Sequence, residues 1–245
     1  MDVAGKVALI TGGARMGEAV AEALAKRGCH VALAYRTSQA SANEAAQRAR
    51  AQGVRSLTLR ADLSTTPAPA RVMQQTVRRL GRLDILIHMA SRYQPTPLKR
   101  LDAKTWQAQM DADLRSGYLL AIAAAPVMQR RGAGRIIIIA DWTAASHRPR
   151  YKDYLPYYVA KAGVIALTEA LALELAPSIL VNAIAPGPML KPSRLSAQDD
   201  AEVRRATPLG RWGGAEELAK AILFLVETDF MTGECLRVDG GRHLR

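Results

Sequence analysis

Val7-Ala8-Leu9-Ile10-Thr11-Gly12-Gly13-Ala14-Arg15-Met16-Gly17 joins an apolar run to a glycine-bearing turn and then to a segment of helical period. Glycines at such a junction let the backbone come close to a pyrophosphate, and the free N–H groups of a helix start point at it. Many strand–helix junctions carry a glycine, so the weight of this one comes from its place after the first strand. Gly12, Arg15, Met16 and Gly17 are the candidate phosphate contacts.

Outward from that junction, β-rich apolar runs recur at Val7–Ile10, His30–Ala34, Ser56–Arg60, Ile85–His88, Arg135–Ala140, Leu180–Ala183 and Glu234–Val238. Segments of helical period lie between them, at Glu18–Arg27, Gln39–Gln52, Pro69–Leu80, Trp106–Arg131, Tyr158–Leu175 and Ala215–Val226. A run with no polar alternation, such as Ile136-Ile137-Ile138-Ile139, reads as a strand covered on both faces. Repeated βα units imply a parallel sheet, and right-handed crossovers wind it in both directions. The expected fold is therefore α/β: a single doubly wound Rossmann-type domain over residues 1–245, with a seven-stranded parallel sheet flanked by helices. Ligands in such sheets sit at the carboxyl ends of the strands. Asp141–Pro156 and Pro186–Asp200 are irregular, follow predicted strands, and are expected over that crevice as substrate loops.

Composition narrows the function classes. The chain has 245 residues, 49% apolar and 23% charged, as an ordinary globular protein does. No apolar run is long enough to span a bilayer, and the first strand begins too early to follow a secretion signal. The expectation is a soluble, cytoplasmic protein with no membrane partner. Cys29 and Cys235 form no CxxC pair, so neither a disulfide framework nor a metal site is expected. The net charge of +12 is spread over helices and loops. That pattern suits a basic surface attracting anionic cofactors and small-molecule substrates better than a nucleic-acid partner.

After the second strand comes Tyr35-Arg36-Thr37-Ser38. An acidic residue here would grip the ribose 2′-hydroxyl of NAD, whereas Arg36 suits a 2′-phosphate, with Arg15 and the Ser38 hydroxyl in reach. The cofactor expected is NADPH/NADP+. Asp62 can accept from the adenine amino group, or alternatively cap a helix with Leu63-Ser64. Further along, Tyr157 and Lys161 are spaced to share one helical face. An ammonium near a phenol favours phenolate and lowers its pKa from about 10, which would fit Tyr157 to hand a proton to a reduced substrate.

These motifs together make the chain resemble the short-chain dehydrogenase/reductases, and within them the pteridine reductases and their bacterial relatives. The likeness runs from the Thr11–Gly17 turn through Asp62-Leu63, Ala90-Ser91, Tyr157/Lys161 and Pro186-Gly187 to Asp239-Gly240-Gly241. Its more specific part is Ser91-Arg92-Tyr93-Gln94-Pro95-Thr96-Pro97-Leu98, where pteridine reductases carry a similar run whose aromatic stacks on the pterin.

The resemblance implies cofactor contacts at Leu63, Ala90, Pro186 and Gly187, a nicotinamide ribose held by Lys161, and substrate contacts at Ser91, Tyr93, Asp141 and Met189. Where the family usually has a serine, this chain has Asp141, as pteridine reductases do, able to orient substrate or relay a proton. The chain departs from the family in a shortened glycine turn, in His88-Met89 for two asparagines, in Asp113 for a helical asparagine, and in a longer loop before Tyr157. His88 reads as a satisfied core histidine.

The implied activity is hydride transfer from NADPH to a C=O or C=N bond, possibly of a pterin, by a homotetramer. The alternatives are a 3-oxoacyl thioester or general ketone reductase, and a dinucleotide-sensing or scaffolding protein that has lost turnover.

Overall fold

The computed structural model describes residues 1–12 and 14–245; Gly13, in the glycine turn, lies outside them. Seven parallel strands form one sheet in the order β3-β2-β1-β4-β5-β6-β7. They are β1 (Val7–Thr11), β2 (His30–Tyr35), β3 (Ser56–Arg60), β4 (Ile85–His88), β5 (Gly134–Ile139), β6 (Ile179–Pro186) and β7 (Cys235–Val238). Each of the first six is followed by a crossover to a parallel strand, and the direction of winding reverses between β1 and β4. Two neighbouring strand ends there turn away from each other and leave a crevice.

Alternation along β1 divides the molecule into two cores. Val7 and Leu9 point to one face and join residues of α3 (Pro67–Leu80), α5 (Ser116–Gln129) and α7 (Leu155–Leu175). Ala8 and Ile10 point to the other and join α1 (Met16–Lys26), α2 (Gln39–Ala51) and α9 (Ala215–Glu227). All four side chains are fully buried, and burying one such as Leu9 contributes about 1.5–3 kcal/mol. Cys29 is buried and Cys235 half-buried, both free.

The seven strands and the doubly wound order are as the sequence pattern implies. Three features differ from it. The single helix expected over Trp106–Arg131 is α4 (Ala103–Met110), then a π-helical turn over Asp111–Arg115, then α5. The two stretches expected as loops each contain a helix, α6 (Trp142–Ala145) and α8 (Ala197–Arg205). Both begin at an acceptor side chain: Asp141 Oδ1 accepts from Thr143 N at 2.8 Å, and Ser196 Oγ from Asp199 N at 3.0 Å. Such caps satisfy N–H groups that a helix start leaves free. No described helix is long and apolar enough to cross a membrane.

Candidate active site

Pro156 at the start of α7 supplies a backbone angle already suited to a helix, which sets Tyr157 in the first turn. Lys161 follows one turn later on the same face, and both side chains are buried. The ammonium lies 5.7 Å from the centre of the Tyr157 ring. It donates to Ile139 O of β5 at 2.8 Å and pairs with Asp113 Oδ1 at 3.2 Å. Tyr157 Oη donates to Asp141 Oδ2 at 3.1 Å. Asp141 in turn is held by Thr143, whose N–H and hydroxyl reach Oδ1 at 2.8 and 2.5 Å.

This arrangement corrects the expected acidification of Tyr157. Its phenol is pushed well above the usual range, first by burial, then by the negative charges of Asp141 and Asp113 and the hydrogen bond to Asp141. The physical reason is that a buried phenolate loses its hydration and would face two carboxylates, while Lys161, the nearby cation, is itself paired with one of them. Tyr157 is a neutral hydroxyl donor here.

Two loops form the mouth of the site. Tyr93 is exposed, stacks on Tyr154 at 4.7 Å between centroids, and meets the Tyr157 ring edge-on at 5.0 Å. Thr96 N donates to Asp153 O at 2.5 Å, joining the same loops through their backbones. A cavity of about 530 Å³ opens between them, lined by Tyr93, Asp141, Tyr154 and Tyr157 among others. Its volume is in the range of small-molecule sites. Arg150, Lys152 and Asp153 stand on its rim, and Arg150 also lies over the Trp142 ring.

Not every sequence-predicted substrate residue faces this cavity. The Ser91 hydroxyl donates to Asp113 Oδ1, which turns it toward the lysine. Met189 is buried and lines a separate cavity of about 250 Å³ with Pro188, Leu209 and Asp239. Tyr154 was invisible in the sequence as a site residue because nothing local marks a loop tyrosine as the stacking partner of Tyr93.

The cofactor side lies at the carboxyl ends of β1, β2 and β4. Gly12 takes a left-handed φ of 74°, and a Cβ there would stand 2.8 Å from Ala90 N, so only glycine lets the first turn come this near Ala90. A Cβ on Gly17 would likewise meet Gly12 O at 2.7 Å. Arg15, at φ 58°, donates its N–H to Glu18 Oε1 at 3.1 Å and keeps its side chain in solvent. Met16 packs against the second core. Arg36 is exposed at the end of β2, and Ser38 precedes α2 without capping it.

Asp62 is held below the usual carboxylate range, first by the Ser64 hydroxyl and, among weaker causes, by the charge of Arg36. It closes a local turn, accepting from Ser64 N at 3.1 Å, and does not cap a helix as its alternative role implied: α3 begins only at Pro67, with Thr66 before it. Leu63 buries its side chain in the first core, so only its backbone can face a ligand. Pro186 ends β6; Gly187 N donates to Val238 O at 3.0 Å, and a Cβ on Gly187 would strike Asp239.

The tight glycine turn, which leaves room for close backbone approach, and two exposed arginines fit a dinucleotide phosphate.

His88 is the core histidine the sequence suggests, and its partners define its tautomer. Thr11 Oγ1 accepts from Met89 N and Ala90 N at 3.2 and 3.3 Å, leaving its proton for His88 Nδ1 at 2.8 Å. Ser116 Oγ gives its proton to Ala112 O at 2.8 Å, so it accepts from His88 Nε2 at 2.9 Å. Burial is the main cause that lowers this histidine to about 4; it is neutral.

Comparisons with known proteins agree with this layout. A family model described as Enoyl-(Acyl carrier protein) reductase matches residues 13–243. The 3-oxoacyl-acyl-carrier-protein reductase of Staphylococcus aureus is 30% identical over 245 residues, covering 98% of each chain. A short-chain dehydrogenase/reductase of Serratia marcescens superposes with a TM-score of 0.92 at 29% identity, over 99% of this chain and 100% of that one. An NADPH-dependent 3-quinuclidinone reductase of Rhodotorula rubra gives a TM-score of 0.92 at 27% identity, over 100% of this chain and 93% of that one. The chain belongs to the short-chain dehydrogenase/reductases, a family of oxidoreductases that use nicotinamide dinucleotides.

Proposed function

We propose that this protein is an NADPH-dependent reductase of a C=N bond in a flat heterocycle of the pterin type. The carrying observation is the Tyr157–Asp141 hydrogen bond at 3.1 Å, in a cavity lined by aromatic side chains. A carboxylate beside the proton donor accepts from ring N–H and amino groups, and it disfavours a carbonyl oxygen becoming an alkoxide. A nitrogen heterocycle therefore suits Asp141 better than a ketone does. Tyr93 adds an exposed flat face on which such a ring can stack.

NADPH, when bound, supplies the hydride. Gly12, Arg15, Met16 and Gly17 would hold its pyrophosphate, and Arg36 and Ser38 its 2′-phosphate. Asp62 and Leu63 would flank the adenine, while Ala90, Lys161, Pro186 and Gly187 would border the nicotinamide end. Tyr157 hands its phenolic proton to the nitrogen that gains electrons, and Asp141 keeps the phenol and the substrate in one line.

The second reading is a ketone or 3-oxoacyl thioester reductase, and the names of the Staphylococcus and Rhodotorula relatives favour it. Turnover of dihydrobiopterin against acetoacetyl thioester, each with NADPH, separates the two. A preference for dihydrobiopterin is expected; preference for the thioester overturns the heterocycle reading. NADPH binding without oxidation of either, or of a wider panel of ketones and pterins, would favour a sensor that has lost turnover.

A further inference from the structure

Asp113 is 1% exposed, and every group that reaches its carboxylate is a donor. Oδ1 takes the Lys161 ammonium and the Ser91 hydroxyl; Oδ2 takes Arg92 N at 3.2 Å and the Gln109 side-chain amide. Gln109 is itself fixed, since the same nitrogen donates to Arg92 O at 2.9 Å. A carboxylate offers about four acceptor sites and no donor, so the surroundings match it fully. An asparagine amide would aim N–H groups at other donors.

The backbone supplies this aim: Ser116 N bonds back to Asp111 O, closing a widened turn that carries Asp113 into the interior. Widened turns of this kind are found most often at functional sites.

We propose that Asp113 is a positioning residue whose carboxylate neutralises the Lys161 ammonium in place and ties it through Ser91 and Arg92 to the substrate loop, so that Tyr157 works as a neutral hydroxyl donor. The proposal concerns the proton-donating machinery of the reductase reading above. Its central test needs no substrate.

The charged and titratable groups around the phenol can be named element by element. Asp141 faces it from the cap of α6, and Tyr93 and Tyr154 from the two loops. Lys161 comes from its own helix, with Asp113 behind it on the π turn. His88 of β4 lies within electrostatic reach of Lys161 and Asp113, and is neutral. Arg150, Tyr151, Lys152 and Asp153 border the same cavity from the loop before α7. Lys161 is the cation placed against the phenol ring, and Asp113 is its sole carboxylate partner within 4 Å in the described residues. Removing the charge at residue 113 leaves the ammonium bonded only to a carbonyl and free to favour phenolate.

The experiment is an alkaline titration followed by ultraviolet phenolate absorbance. Subtracting the Tyr157→Phe protein isolates one phenol among the seven tyrosines. In the unmodified chain the Tyr157 increment is expected only at the alkaline end of the folded range. In Asp113→Asn, and in Asp113→Ser as a second neutral variant, it should move down by about 1–3 pH units, the effect of an unmatched cation close to a phenol. Asp113→Glu, which keeps the charge, should titrate near the unmodified protein. If a substrate is in hand, the alkaline loss of reductive kcat should move down with the phenol.

An unmoved increment in the folded neutral variants overturns the proposal. So does an equal shift in Asp113→Glu, which would make shape rather than charge decisive. Failure of both neutral variants to fold would assign Asp113 to folding alone and also overturn it. Absence of turnover with every substrate would instead strike the reductase reading and leave the titration result standing.

Discussion

In the proposed reaction Tyr157 carries the proton and Asp141 decides what receives it. Tyr157→Phe deletes the donor while keeping the ring against Tyr93, so kcat should fall by about 10²–10⁴ with NADPH binding retained. Stopped-flow hydride transfer and cofactor fluorescence measure the two separately, and a variant with near-normal kcat would remove Tyr157 from the chemistry. Asp141→Ser replaces an acceptor-only group by a hydroxyl that can donate to a carbonyl oxygen. It should raise the ratio of acetoacetyl thioester to dihydrobiopterin turnover. It also deletes an anion that holds the phenol up, so the alkaline loss of reductive activity should begin at lower pH. An unchanged substrate ratio would mean that Asp141 does not select the substrate. Tyr157 and Lys161 were legible from their spacing, and Asp141 from its place after the fifth strand together with the family resemblance. The pairing that governs them was not, because Asp113 meets Lys161 only through tertiary packing across 48 residues of chain.

Elements show the same division between pattern and packing. The inner strands were readable because a parallel strand buried on both faces is apolar throughout. The edge strands β3 and β7 carry polar residues, yet all seven are found within a few residues of their expected ends. The break of one long helix at Asp111–Arg115 was not readable, since a single widened turn barely disturbs apolar spacing. α8 could have been found: Ser196 and Asp199 have the spacing of a helix start, and the two side chains do bond at 2.6 Å. The π turn has a mechanical tie to the cofactor strands through the chain Thr11–His88–Ser116, which ends on Ala112 O.

That tie has a pH signature. His88 sits at about 4 in the fold against 6.5 for an ordinary histidine, so the unfolded chain binds the extra proton. Stability from this group is intact above about 6.5 and is lost as pH falls toward about 4, a difference of roughly 3 kcal/mol. Denaturant unfolding of the unmodified chain and of His88→Asn over that window should show the steeper decline in the unmodified chain. Parallel curves would mean that His88 is not buried neutral.

At the scale of the whole molecule, the parallel strand order β3-β2-β1-β4-β5-β6-β7 brings the turn after β1, the arginine after β2 and the start of the Tyr157 helix to the carboxyl-end side of the sheet. The surplus of +12 charges raises the concentration of any polyanion around the molecule without choosing among them. Under the NADPH proposal, choice falls to Arg36, which stands exposed at the end of β2. Because a ligand that binds only the folded state stabilises all of it, selectivity can be read from unfolding. A hundredfold excess over Kd contributes about 2.7 kcal/mol, and at about 2–4 °C per kcal/mol for a chain of this size NADPH should raise Tm by about 5–10 °C. NADH at the same concentration should raise it less, and added salt should shrink the gap, since exposed charges are screened. Arg36→Asp should reverse the order, because its carboxylate repels the phosphate yet can accept from the ribose hydroxyls of NADH. Equal shifts with the two cofactors in the unmodified chain, or an unchanged preference in Arg36→Asp, would take the phosphate away from Arg36 and leave the net charge as the only attraction NADPH feels.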